Sequence, residues 1–256
     1  MHKTRVSAST IIACGVLSLA SPARAGEEPV SQTFDANGVK IHYLTLGKGE
    51  PVVLIHGLYS SADINWRLTG VMADLAKDHK VIAIDMPGHG RSDKPEKDEA
   101  YGVQIVEDVA LLLDHLQIKK AHVVGYSLGG MVTVKFMVKH PDRVLSGSLG
   151  GMGWFKEGSG LQKIWEKMPG GGRMPAAFLK NVGQLAVTAD ELKKIELPVK
   201  VFVGDKDVVK PLYVEPLQKI RSDWPVIEIT DADHFTCIIK RQFRDEVVSW
   251  VKKNTK

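Results

Sequence analysis

Ser127 stands among glycines in the stretch GYSLGG, residues 125–130, and is the first candidate for chemistry in this chain. A serine hydroxyl attacks a carbonyl carbon only when a histidine takes its proton and a carboxylate orients that histidine. Both partner types come later, with Asp205 and Asp207 in GDKD and His234 in DADHF. The chain order serine, aspartate, histidine therefore predicts a nucleophilic serine with an acid–base histidine.

The surroundings of Ser127 decide what its glycines mean, because a G-x-S-x-G string alone is weak evidence. The apolar run AHVV precedes it, and a helical stretch, 129–140, follows and ends before Pro141, where proline restricts the preceding backbone. A nucleophile elbow requires this strand–turn–helix setting, in which glycines allow a tight turn that exposes the hydroxyl.

Short apolar runs alternate with helical stretches along most of the chain. Strands are predicted at 51–57, 80–85, 121–125, 143–150, 198–204 and 225–230, after a hairpin at 32–46 that turns at Asn37-Gly38. Runs that are apolar on both faces are typical of a buried parallel sheet. The predicted fold class is α/β, with a mostly parallel central sheet and helices on both faces.

Helical spacing identifies the buried face of one predicted helix. Its inward residues are Val106, Val109, Ala110, Leu113 and Leu116. The same spacing predicts that Glu107, Asp108 and Asp114 face outward.

An insertion interrupts the alternation of predicted strands and helices at about 150–197, where nearly 50 residues separate two predicted strands. It is rich in glycine and proline yet contains Trp154, Phe155 and Trp165. Long ordered loops in compact domains are usually functional, so we expect a short lid whose aromatic residues contact the substrate. A packed surface excursion is the alternative.

The first 25 residues have the three parts of a signal peptide. MHKTR is basic, IIACGVLSLA is apolar, and ARA ends at Ala25 as a cleavage signal. We expect cleavage there, a periplasmic or secreted protein and a domain at 26–256 with no stable membrane insertion. Lipoprotein processing at Cys14 is an alternative, although the apolar run continues beyond it.

Charge and cysteine content limit the possible partners. Removal of residues 1–25 takes away Lys3, Arg5 and Arg24 and no acidic residue, which leaves a formal charge of +1. So small a positive charge gives no reason to expect nucleic acid as a binding partner. Cys237 is then the one remaining cysteine, so no internal disulfide can form. Neither a nucleotide-binding motif nor a metal-ligand spacing is present, and we expect no cofactor or metal, and a monomer or weak dimer.

The motifs HGLYSS, DMPGHGRS, GYSLGG, GDKDVVKP and DADHF occur in the order that serine hydrolases of the α/β-hydrolase fold show. The chain resembles that family over nearly all of residues 32–256. Gly204, Asp207 and Pro211 match the family pattern G-x-x-D-x-x-x-P, so the resemblance implies Asp207 as the acid, with Asp205 as the alternative.

The resemblance also implies roles for residues around the reacting centre. It assigns the oxyanion hole to the backbone N–H groups of Leu58 and Leu128, and it makes His56 a brace for its turn. Loop-fixing roles are expected for Asp85, Arg91 and His89, and for Asp231 and Asp233 beside His234.

The function expected from this resemblance is hydrolysis of a small-molecule carboxylic ester with a small to medium acyl group, through an acyl-enzyme. The same fold supports thioesterases, lactonases, carbon–carbon bond hydrolases and perhydrolases, which stay open. A catalytically silent ligand-binding protein is the alternative from another class. Ser127 disfavours the dehalogenases and epoxide hydrolases of this fold, which use aspartate as the nucleophile.

Overall fold

The computed structural model describes residues 27–168 and 174–256. The predicted signal peptide and Cys14 lie outside the described residues. Within these ranges one sheet has eight strands: β1 (Val30–Ala36), β2 (Val39–Leu46), β3 (Glu50–Ile55), β4 (His79–Ile84), β5 (Ala121–Tyr126), β6 (Val144–Gly150), β7 (Val199–Gly204) and β8 (Val226–Ile229).

Helices connect most of these strands in the described ranges: α1 (Val71–Leu75), α2 (Val103–His115), α3 (Leu128–Lys139), α4 (Gly160–Glu166), α5 (Ala176–Asn181), α6 (Ala189–Lys193), α7 (Glu215–Ile220) and α8 (Arg241–Lys253). A π-helical turn, Asp63–Arg67, precedes α1. No helix in the described part is both long and apolar enough to span a bilayer.

The strand order across the sheet is β1-β2-β4-β3-β5-β6-β7-β8. Strands β1 and β2 form the predicted hairpin, whose Asn37 and Gly38 both have positive φ. Strand β2 pairs with β4 antiparallel, and strands β3 to β8 pair with one another in parallel. The chain leaves β3 toward β4 and returns to β5 on the other side, so a crevice opens at the carboxyl ends of β3 and β5.

Side chains that alternate along the central strands fill two cores, one on each face. Val53 and Ile55 of β3 enter the core beneath α2 and α3. Val52 and Leu54 enter the other core, which α1 and α8 cover. The predicted α/β fold with helices on both faces is confirmed.

Helix α2 buries a wider face than the spacing predicts. Asp108, expected to face outward, is buried one turn from both Ile105 and Leu112. Because α2 contacts α3 as well as β1, residues to the side of its main apolar stripe are also covered. The Gln104 side chain donates a hydrogen bond to Asp108 at 3.0 Å, and burial raises the pKa of this carboxyl to about 7.

The insertion begins after β6 and returns at β7. It contains α4, α5 and α6, and it packs on the domain through Trp154 and Phe155, which are buried in the core beneath α2 and α3. The Trp154 indole N–H donates to the Val187 carbonyl at 2.9 Å, which ties the two ends of the insertion together.

Candidate active site

Ser127 sits on a strained turn between β5 and α3. Its backbone has φ 54° and ψ −118°, a conformation that costs an L-residue free energy and recurs at functional sites. The flanking glycines are required by close backbone contacts. A Cβ on Gly125 would lie 2.1 Å from the Gly129 carbonyl oxygen, and one on Gly129 would lie 2.1 Å from that of Ile55.

The structure brings Ser127, His234 and Asp207 into one hydrogen-bonded line. The Ser127 hydroxyl donates to His234 Nε2 at 2.9 Å. On the other side of the ring, His234 Nδ1–H donates to the two Asp207 carboxylate oxygens at 3.0 and 3.2 Å. The Asp207 carboxylate is buried, while the His234 ring is partly open to solvent. This arrangement can carry a proton from Ser127 to His234 while Asp207 holds the imidazole.

Asp205, the alternative acid, lies elsewhere in the loop after β7. Its carboxylate accepts hydrogen bonds from the backbone N–H groups of Asp231 and Ala232 at 2.9 and 3.0 Å. These bonds lower the pKa of Asp205 below its usual range. Asp205 therefore anchors the loop that carries His234, and Asp207 is the carboxylate in contact with the ring.

The loop that holds His234 is fixed by its neighbours. The Asp233 carboxylate accepts hydrogen bonds from the backbone N–H groups of Phe235 and Thr236 at 3.0 and 2.8 Å. Asp231 pairs with Lys206 on the loop after β7. Both contacts match the loop-shaping roles expected for these aspartates.

Tyr126 is a contact that the sequence did not reveal. Its hydroxyl donates to the His234 backbone carbonyl at 2.6 Å, and the two ring centroids are 5.8 Å apart. The residue directly before the nucleophile thus holds the main chain of the proposed base. The variable position inside the G-x-S-x-G string gave no sign of this.

The loop proposed for the oxyanion hole lies against the elbow. A Cβ on Gly57 would contact the Ser127 Cβ at 3.2 Å, which places Leu58 beside the nucleophile. Among the described residues, the Leu58 backbone N–H has no hydrogen-bond acceptor. Leu128 is the first residue of α3, where backbone N–H groups lack intrahelical acceptors. Both donors can therefore serve an oxyanion.

Two side chains shape this loop. The Asn65 Oδ1 atom accepts from the Gly57 backbone N–H at 2.8 Å, another contact without a signal in the sequence. His56 is fully buried; its Nδ1–H donates to the Gly57 carbonyl at 2.7 Å, and its Nε2 accepts from the Met86 N–H at 3.1 Å. Burial lowers the pKa of His56 to about 4, so the ring is neutral at neutral pH.

Asp85 joins several segments beneath the site. Its carboxylate accepts from the backbone N–H groups of Ala62 and Arg91 at 2.7 and 2.9 Å and from His42 Nδ1–H at 2.8 Å. The Arg91 guanidinium pairs with Asp63 at 2.9 Å. These contacts match the loop-fixing roles expected for both residues.

His89 is buried against other rings rather than exposed to substrate. Its ring lies 4.9 Å from those of His56 and Phe178, centroid to centroid. Burial lowers the pKa of His89 to about 3, which keeps this ring neutral as well.

A cleft of about 330 Å³, here called the Ser127 cleft, opens beside the hydrogen-bonded line. Its described lining is Gly57, Leu58, Tyr59, Ser60, Ile64, Asn65, Thr69, Tyr126, Ser127, His234, Phe235, Ile238 and Ile239. Five of these side chains are apolar, and two tyrosine rings add further apolar surface. This lining suits an apolar group.

The three aromatic residues of the insertion lie outside this described lining. Trp154 and Phe155 are buried in the core, and the Trp165 indole N–H donates to the Tyr213 hydroxyl at 3.3 Å. Their predicted contact with substrate stays a prediction. Within residues 27–168 and 174–256, no group of three or more His, Cys, Asp or Glu side chains could hold a metal ion.

Comparison with known proteins bears on this site. A family model described as alpha/beta hydrolase fold matches residues 50–235. The 2-hydroxymuconate semialdehyde hydrolase of Pseudomonas sp. (strain CF600) is 33% identical over 74% of this chain and 68% of that protein. The 2-hydroxy-6-oxo-2,4-heptadienoate hydrolase of Pseudomonas putida is 30% identical over 72% of this chain and 67% of that protein.

Solved structures agree in fold. A meta-cleavage product hydrolase from Pseudomonas fluorescens IP01 superimposes with a TM-score of 0.70 over 87% of this chain and 97% of that one. At 24% sequence identity, this likeness concerns the fold alone.

Proposed function

This chain belongs to the α/β-hydrolase fold family, and on that premise we propose that it is a serine hydrolase that cleaves carboxylic esters through an acyl-enzyme. The observation that carries the proposal is the hydrogen-bonded line of Ser127, His234 and Asp207 on a strained elbow beside an apolar cleft. A small or medium acyl group fits the shortness of the insertion.

The acylation half of the reaction uses the line from Asp207 to Ser127. His234 Nε2 takes the hydroxyl proton as Ser127 Oγ forms a bond to the ester carbonyl carbon. The carbonyl oxygen gains negative charge and accepts hydrogen bonds from the Leu58 and Leu128 N–H groups. The bond to the alcohol oxygen then breaks, and that oxygen takes the proton from His234.

Deacylation repeats these steps with water. His234 Nε2 takes a proton from a water molecule, whose oxygen attacks the acyl carbon. The bond to Ser127 Oγ breaks, Oγ recovers the proton from His234, and the carboxylic acid leaves. Throughout, the Asp207 carboxylate accepts the Nδ1–H bond and stabilises the imidazolium that forms.

Hydrolysis of a carbon–carbon bond is the second candidate, because the two Pseudomonas relatives are named for such substrates. Those named substrates carry a carboxylate, and proteins bind carboxylates best with arginine or another charged donor. The apolar side chains of the described Ser127 cleft lining suit the uncharged chains of an ester instead.

Active-site labelling followed by a substrate panel tests the proposal. We expect a fluorophosphonate probe to label Ser127, and the Ser127→Ala variant to lose both labelling and ester hydrolysis. The panel contains p-nitrophenyl esters from acetate to laurate, a thioester, a lactone and a 2-hydroxy-6-oxo-dienoate. Folded protein that takes no label would favour a silent binding protein, and turnover of the dienoate alone would favour the second candidate.

A further inference from the structure

The Ser127 cleft has an apolar rim that is open to solvent. The rim side chains and their exposed fractions are Tyr59 (53%), Ile64 (54%), Phe235 (83%) and Ile239 (63%). Tyr59 and Ile64 come from the segment after β3, and Phe235 and Ile239 come from the loop after β8. Exposed apolar side chains gathered around one opening mark a place where an apolar group binds.

The position of His234 identifies which part of an ester this rim would meet. When the tetrahedral intermediate collapses, the leaving oxygen must lie within hydrogen-bond reach of His234 Nε2 to take its proton. His234 lines the cleft, and the residues that follow it, Phe235, Ile238 and Ile239, form one wall. A substituent on the leaving oxygen thus begins at this wall.

The other substituents of the reacting carbon are directed elsewhere. The carbonyl oxygen points toward the N–H groups proposed for the oxyanion hole, on Leu58 and Leu128. The acyl chain must then point away from both the carbonyl oxygen and the leaving alcohol oxygen. Gly151, at the start of the insertion, also approaches the imidazole, and an added Cβ there would be 3.2 Å from His234 Cε1. We therefore assign the acyl side to the insertion.

We propose that the cleft between Tyr59 and Ile64 on one side and Phe235 and Ile239 on the other is the subsite for the leaving alcohol, and that it selects alcohols with an extended apolar chain. This inference rests on the proposed ester hydrolysis. It names the alcohol, rather than the acyl group, as the part of the substrate that the solvent-open apolar rim recognises.

Two ester series separate the alcohol from the acyl group. One series contains acetates of ethanol, butanol and hexanol, and the other contains ethyl esters of acetic, butanoic and hexanoic acid, all below their solubility limits. We expect kcat/KM to rise with alcohol length in the parent protein. In Phe235→Ser and Ile239→Ser, the ratio of kcat/KM for hexyl acetate over ethyl acetate should fall about three- to tenfold, because each buried methylene then loses apolar contact. The ratio for ethyl hexanoate over ethyl acetate should not fall with it.

Leu68→Ser is the matched control. Leu68 is 68% exposed and lies in the chain between Ile64 and Thr69, but it is not among the described lining residues of the cleft. We expect both ratios to match those of the parent protein. Since all three side chains are mostly exposed, the variants should fold, which their thermal unfolding will verify.

The other outcomes are distinguishable. Ester turnover without a gain from alcohol length, or a fall in the acyl ratio instead of the alcohol ratio, would overturn the subsite and leave the proposed function standing. An equal loss in all three variants on every ester would show a general effect of exposed apolar side chains on activity and also overturn the subsite. Absence of ester turnover in the parent protein would overturn both proposals.

Discussion

The residues of the candidate site differ in how directly they meet the reacting atoms. Ser127 Oγ and His234 Nε2 form the contact through which a proton can move. Asp207 and Tyr126 act on His234 from two sides, the carboxylate on Nδ1 and the phenol on the backbone carbonyl. His234 is thereby held through both its side chain and its main chain.

Tyr126→Phe tests the main-chain contact. The change removes a hydrogen bond of 2.6 Å and little volume, so a net loss of about 1 kcal/mol is expected. If the bond positions His234 for proton transfer, kcat for an ester should fall about fivefold with KM little changed. Steady-state kinetics across pH and thermal unfolding measure the two effects separately.

Tyr101→Phe supplies the comparison. Its hydroxyl also donates to a backbone carbonyl, that of Pro95, at 2.6 Å, but Tyr101 is not among the described lining residues of the Ser127 cleft. We expect a similar change in melting temperature with kcat unchanged. Equal kinetic effects in the two variants would mean that the Tyr126 hydroxyl contributes only to stability.

At the scale of elements, strand ends supply the site and the loops between them orient it. Ser127 follows β5, Asp207 follows β7 and His234 follows β8, so all three lie at the carboxyl edge of the parallel strands. Helix α2 does not contribute to the candidate site. It contains the buried carboxyl of Asp108, which lowers the stability of the folded protein when it is ionised. Its pKa of about 7 is raised by burial above the usual value near 4.

Asp108→Asn should stabilise the protein in a pH-dependent way. Unfolded Asp108 ionises near pH 4 and folded Asp108 near pH 7, so the carboxyl favours unfolding increasingly between these values and fully above pH 7. Asparagine does not ionise, and its Oδ1 can still accept from Gln104. Denaturant unfolding should show little gain at pH 4 and a gain on the order of 3 kcal/mol at pH 8.

The control for that measurement is Asp114→Asn on the same helix. The Asp114 side chain is 63% exposed and pairs with Arg143. Its replacement should change stability by less than about 1 kcal/mol, because an exposed ion pair contributes little. A gain for Asp108→Asn that is equally large at pH 4 would contradict ionisation as its cause.

At the scale of the whole molecule, one sheet with a core on each face carries the site. The reversal of strand order between β3 and β5 creates the crevice in which the Gly57 loop and the Ser127 elbow meet. The free Cys237 is buried, and burial raises the pKa of its thiol to about 12, so it is a packing residue.

We propose that this domain acts outside the cytoplasm after removal of residues 1–25. Expression of the full sequence in a Gram-negative host should yield a periplasmic protein whose first residue is Gly26, since Ala25 ends the cleavage signal. Intact-mass analysis of fractionated cells measures this. An unprocessed cytoplasmic chain, or a lipid attached at Cys14, would contradict it.

The sequence by itself determined the class of fold and the candidates for chemistry. Apolar runs, helical spacing and the order of Ser127, two aspartates and His234 are local patterns, and burial and turn geometry impose such patterns on the chain directly. These sufficed to predict a parallel sheet, an elbow and an acid after the seventh strand.

Only the tertiary structure decided which groups touch. It placed Asp207 rather than Asp205 on the imidazole, brought Asn65 to Gly57, and buried Asp108. These contacts join residues whose side-chain directions depend on how loops and helices pack. No periodicity along the chain encodes them, because each depends on the position of a second segment in space.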